Sequence, residues 1–141
     1  MTEKKIHKKT HFGRAGEFFA MSEVLLRGWN VAVPVVDVGD DVLIIDDNDK
    51  TTLRVQVKSS RVNKDDKVQF TLSRKQLRSD HPVELVYMLM LREAERWRFL
   101  VIPRQDLWER HREYLSTPGR RGRNRSGVGL SASSVDANPP V

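Results

Sequence analysis

Between Val36 and Lys58 the chain reads VDVGDDVLIIDDNDKTTLRVQVK, and it carries a carboxylate, an amide and an ammonium at spacings that let them meet. Leu53, Val55 and Val57 alternate with Arg54, Gln56 and Lys58, so a strand here puts Gln56 and Lys58 on one face and the aliphatics on the other. Asp41 precedes the apolar run Val42-Leu43-Ile44-Ile45, and Asp46 to Lys50 is rich in turn-forming residues. A hairpin closed around Asn48 and Asp49 sets Asp41 opposite Gln56, with Lys58 nearby. The chemistry open to such a group is metal-assisted. A hard divalent cation takes one or two carboxylates and keeps several waters. Bound beside a phosphodiester, it activates a water and offsets charge on the phosphorus. Asp41 can hold it directly and Gln56 can add a weaker amide oxygen. Lys58 can reach the phosphate or orient the water. Glu17, if the helix that carries it crosses the sheet here, supplies a second carboxylate.

Those side chains need elements to hold them. Ala15, Phe18, Phe19, Ser22, Leu25 and Leu26 recur at three and four residues, which predicts an amphipathic helix capped by Gly28. Glu17 falls in its first turn, where a carboxylate is favoured without any function. Residues Trp29 to Val36 predict a valine-rich strand, and Pro34 argues for a sheet edge or bulge. After the hairpin, Val68 to Leu72 reads as a short strand. Ser73 and Gln76 have the spacing of a capping box that opens a short helix, and His81-Pro82 ends it. Glu84 to Leu91 and Arg96 to Ile102 read as strands joined by a hairpin loop. Pro103 can open a last helix with Leu107, Trp108, His111, Tyr114 and Leu115 on one side. His111, Trp97 and Trp108 are read as packed side chains. The order predicts an α/β domain around one mixed sheet flanked by helices.

The 141 residues suit one domain, and 38% hydrophobic with 31% charged residues suits a polar-surfaced protein. No apolar run nears the roughly 18 residues a bilayer requires. Lysines near the N-terminus are followed by no apolar segment, so no secretory signal and a cytoplasmic location are expected. With no cysteine, disulfides, cysteine-bound zinc and a thiol nucleophile are excluded. The net charge of +6 is unevenly placed. Lys4, Lys5, Lys8 and Lys9 outweigh Glu3, and Arg120, Arg121, Arg123 and Arg125 outweigh Asp136. Residues 12–117 are neutral in sum. Basic ends on a neutral body suit contact with nucleic acid, and suit solubility equally. From Pro118 the chain turns to Gly, Arg, Ser, Asn and Pro without periodicity, which predicts a flexible tail.

Taken together, the helix glutamate Glu17, Gly28-Trp29 leading a strand, Asp37-Val-Gly39-Asp-Asp41 and Gln56-Val57-Lys58-Ser59 resemble the PD-(D/E)XK nuclease superfamily. The resemblance is to branches with Gln-x-Lys in place of Glu-x-Lys, such as intron-associated homing endonucleases. It spans residues 13–103, with its motifs within 13–60. It implies a restriction-endonuclease-like fold, with a basic tail over 1–12, the nuclease-like domain over 13–117 and a disordered basic tail over 118–141. It also implies a Mg2+- or Mn2+-dependent endonuclease acting on double-stranded DNA. Glu17, Asp41 and Gln56 would hold the metal, and Lys58 would be the catalytic lysine. Asp37 and Asp40 compete with Asp41, which is preferred for its place directly before the apolar strand. Lys4, Lys5, Lys8, Lys9, Arg61, Lys64, Arg120, Arg121, Arg123 and Arg125 are the expected nucleic-acid contacts. A homodimer is expected because one compact site cuts one strand at a time, and no membrane association is expected. Gln56 departs from the carboxylate of the wider pattern, which favours one weakly held ion. The alternatives are a catalytically silent nucleic-acid-binding module of this fold and, last, a small partner-binding domain.

Overall fold

A long helix begins near the start of the chain in the computed structural model, which describes residues 3–36, 39–115, 125–132 and 135; residues 3–8, 111–115 and 125–127 are described by backbone alone. That helix, α1, spans Glu3–Leu26. It absorbs the segment expected to be a basic tail, because the Lys-rich start contains no proline to break it. Among the described residues, seven strands and two further helices follow: β1 Asn30–Ala32, β2 Val42–Asp46, β3 Thr51–Arg61, β4 Lys67–Ser73, α2 Arg74–Leu77, β5 Leu85–Glu93, β6 Arg96–Pro103, α3 Arg104–Leu115 and β7 Arg125–Ser131.

Five strands form the main sheet in the order β1-β2-β3-β5-β6. All neighbours run antiparallel except β3 and β5, which are parallel in a register that sets Gln56 beside Tyr87. A parallel pair needs a crossover, and β4 with α2 supplies it. The result is the mixed α/β sheet expected from the sequence. Because β5 is buried on both faces, its side chains divide the core in two. Met88 and Met90 join Val55, Val57, Ala20, Met21 and Val24 beneath α1. Leu85, Tyr87, Leu89 and Leu91 face β4, β7, α2 and α3.

The hairpin of β2 and β3 closes as its turn residues predict. Val42 lies opposite Val55, and Asp46 opposite Thr51. Three other expectations are corrected. The first strand is only Asn30–Ala32 at the sheet edge, with Val33, Val35 and Val36 exposed beyond it. Pro34, which has no N–H to donate, stops it there. Next, α1 is turned from its expected face: Phe18, Leu25 and Leu26 are exposed, whereas Gly16, Ala20 and Val24 lie against the sheet. Last, residues 125–131, inside the stretch expected to be flexible, form β7 and pair with the whole of β4. The edge of β4 needs a partner for its backbone groups, and Val128, Ala132 and Val135 are buried under it. No helix among the described residues is long and apolar enough to cross a membrane.

The turned helix has a local cause. A Cβ on Gly16 would collide with Ser59 Oγ on β3, so the helix approaches the sheet over its smallest residue. Ser59 Oγ is itself buried there without a hydrogen-bond partner. Gly16→Ala should therefore destabilise the protein by about 1–3 kcal/mol, the usual range for overpacking, despite alanine's better helix propensity. Urea unfolding checks this, and Ser59→Gly in the same chain should restore most of the loss.

Candidate active site

The site is built where β2 begins and β3 runs on past it. Pairing of β2 with β3 covers only Thr51–Val55 of the longer strand. Beyond it the side chain of Asp41 takes over from the backbone: Oδ2 accepts the Val57 N–H at 2.8 Å. The same oxygen accepts Gln56 Nε2 at 2.5 Å. The carboxylate and the amide expected to converge are thus in direct contact. Lys58 stands two residues further along the same face, half-buried, as the strand period requires. Gln56 and Lys58 line a concavity of about 710 Å3 together with Gly39, Arg54, Gln76 and residues of the α2–β5 connection.

Behind Gln56 lies a second amide. Gln76 on α2 donates from Nε2 to Gln56 Oε1 at 3.1 Å and also to the Gly39 carbonyl. Its Oε1 accepts the Tyr87 hydroxyl at 2.9 Å. Tyr87 is fully buried, and burial pushes its phenol above the usual tyrosine range against a smaller pull downward from Arg104 and Arg54. It is therefore a neutral donor at any physiological pH. Gly39 has φ +101°, a conformation that suits glycine, and a Cβ there would press on Gln76 Nε2 at 3.1 Å.

A buried ion pair braces the loop that carries Asp41. Arg54 bonds Asp40 through both arms, Nε to Oδ2 at 2.9 Å and Nη2 to Oδ1 at 2.8 Å. Asp40 is thereby committed to Arg54, whereas its neighbour Asp41 meets Gln56 and Val57. Asp37 lies outside the described residues.

Glu17 is placed differently. Its carboxylate pairs with Arg14 at 2.6 Å, and α1 covers the face of the sheet opposite Gln56 and Lys58. The turn that carries it does pack over Ser59, next to Lys58, where β3 has outrun β2. Among the described residues, no three His, Asp or Glu side chains gather as a metal cage. Of the expected nucleic-acid contacts, Lys9 and Lys64 are exposed, and Arg61 is exposed and lies over the Phe12 ring at 4.3 Å. Lys4, Lys5 and Lys8 lie on the first turns of α1, and Arg125 opens β7. Arg120, Arg121 and Arg123 fall outside the described residues, as does the side chain of His111.

The sequence reading missed Gln76, Tyr87 and the Arg54–Asp40 pair. Gln76 was expected to complete a capping box. Its N–H does bond Ser73 Oγ, at 3.4 Å, but its side chain goes to Gly39, Gln56 and Tyr87. A signal for Tyr87 existed: a lone hydroxyl in the buried run ELVYMLML must find a polar partner.

The fold and the sequence both have counterparts among known proteins. A family model described as PD-(D/E)XK endonuclease matches residues 6–106. No curated protein sequence matches. Among solved structures, a bacterial homing endonuclease superposes with a TM-score of 0.55 at 22% identity, over 91% of this chain and 75% of that one. The mixed five-stranded sheet flanked by helices is that of a restriction-endonuclease-like fold, and the chain belongs to the PD-(D/E)XK endonuclease family.

Proposed function

We propose that the protein hydrolyses DNA phosphodiester bonds with a divalent cation, Mg2+ or Mn2+, at Asp41, Gln56 and Lys58. The observation that carries this reading is the direct contact of Asp41 with Gln56, on the strand face that also presents Lys58 to an open concavity. The Asp41 carboxylate suits a hard cation, and Gln56 has one amide oxygen to add once its amide turns, since its nitrogen faces Asp41 and its oxygen faces Gln76. Asp41 would hold the ion, with Gln56 adding a neutral oxygen; Glu17 would have to leave Arg14 and the opposite face of the sheet to add a second carboxylate. When bound, such an ion lowers the pKa of an attacking water and offsets charge on the phosphorus.

The chain's own residues supply the rest. Lys58 donates to a phosphate oxygen or to the water, placing a fixed positive charge where negative charge develops. The Arg54–Asp40 pair holds the loop before Asp41 so that the carboxylate stays on the Val57 N–H. Lys9, Lys64 and the basic segment around Arg120 would add contacts to the backbone of double-stranded DNA, with a steep salt dependence. A second copy of the chain would be needed to cut both strands together.

Gln56 presents Nε2 to Asp41, which favours a second reading: a nucleic-acid-binding module of the same fold that does not cut. Supercoiled plasmid separates the two. Nicking with Mg2+ that stops with chelator and is lost in Asp41→Asn supports the nuclease. Salt-sensitive, metal-independent binding without nicking supports the binder.

A further inference from the structure

We propose that Gln76 is a positioning residue whose carboxamide sets which end of the Gln56 amide faces Asp41. This rests on the reading of Asp41 and Gln56 as cation ligands.

The direction of the whole relay follows from one group. The Gly39 carbonyl can accept and cannot donate, so the edge of Gln76 that faces it must be Nε2. Gln76 Oε1 then faces Tyr87, which donates to it. Nε2 carries a second proton, and Gln56 Oε1 takes it. The Gln56 nitrogen is left pointing at the Asp41 carboxylate. A cation shared with Asp41 needs an oxygen at that position. Turning Gln56 alone sets its Nε2 against Gln76 Nε2, donor against donor. Turning both amides sets Gln76 Oε1 against the Gly39 carbonyl, acceptor against acceptor. Tyr87 does not oppose the turn, because a hydroxyl also accepts. Gln76, pinned by Gly39, therefore opposes that turn: an ion that takes the Gln56 oxygen must break the Gln76–Gln56 hydrogen bond, which lowers the cation affinity of a site already short of one carboxylate.

A residue that merely supported the site would weaken cation binding when removed. Gln76 predicts the opposite sign. In Gln76→Met, which keeps length and loses all hydrogen bonding, the Mn2+ dissociation constant read by electron paramagnetic resonance should fall about fivefold, the worth of one neutral hydrogen bond. An unchanged or raised constant in a folded variant overturns the proposal. Wild-type protein gives a second measurement that needs no variant. On titration with Mg2+, the side-chain amide resonances of Gln56 and Gln76 should move together, with the midpoint of the Val57 backbone amide. Movement of Val57 with Gln76 stationary also overturns it. Absence of Mn2+ binding, with no response at Val57, removes the cation reading itself and the proposal with it.

Discussion

Lys58→Ala should lower the single-turnover rate of plasmid nicking by about 10^2–10^3-fold, the usual cost of removing one fixed group that stabilises developing charge. The melting temperature should move little, because Lys58 is half-buried at the rim of the concavity and no core contact depends on its ammonium. The strand brings this about. Gln56 and Lys58 share a face, and the residue between them, Val57, is fixed by Asp41 on its N–H and by core packing on its side chain. Lys58 thus follows directly on a residue that is held by both its backbone and its side chain. Lys58→Arg should recover only part of the rate, since a planar guanidinium reaches a different point than a compact ammonium. Alanine at 58 cutting as fast as wild type would place the stabilising charge elsewhere in the concavity.

The second large effect is on stability. Arg54 and Asp40 side chains are 11% and 10% exposed and joined by two hydrogen bonds. Arg54→Met strands a buried carboxylate, and breaking such a pair from one side costs about 3–5 kcal/mol. For a chain of this size that corresponds to a fall in melting temperature on the order of 10–20 °C. The double variant Arg54→Met with Asp40→Leu buries no unpaired charge and should regain most of the loss. Thermal unfolding followed by circular dichroism measures both. A double variant as unstable as the single would show that the pair's charges are not the source. Asp41 adjoins Asp40, so the single variant should also cut poorly at temperatures where it remains folded.

How much of this was legible beforehand depended on how local the cause was. The hairpin was legible because turn residues and a period of two set its register, and that register alone opposes Asp41 to Gln56. The helix face was misjudged because hydrophobicity favours Phe18, Leu25 and Leu26. The deciding factor, the close approach of Gly16 to Ser59, joins residues 43 positions apart. β7 was missed for a similar reason: its Gly- and Ser-rich sequence has little strand propensity of its own, and the unpaired edge of β4 recruits it. Gln76 had a complete local explanation as a cap, and nothing nearby in sequence hints that Gly39, 37 residues earlier, would claim its side chain. Roles settled by short-range spacing could be read, and those settled by which strands adjoin could not.

Asp41 Oδ2 does the work of a backbone carbonyl for Val57 while standing among the ligands of the proposed ion. One oxygen then serves two equilibria, closure of the strand edge and capture of the cation. Thermodynamic linkage makes the two reciprocal. Whatever factor the cation takes from the hold on the Val57 amide, a tighter strand edge takes the same factor from the cation. Affinity at the proposed cation site would therefore be open to adjustment from the sheet, without any change to the ligands themselves.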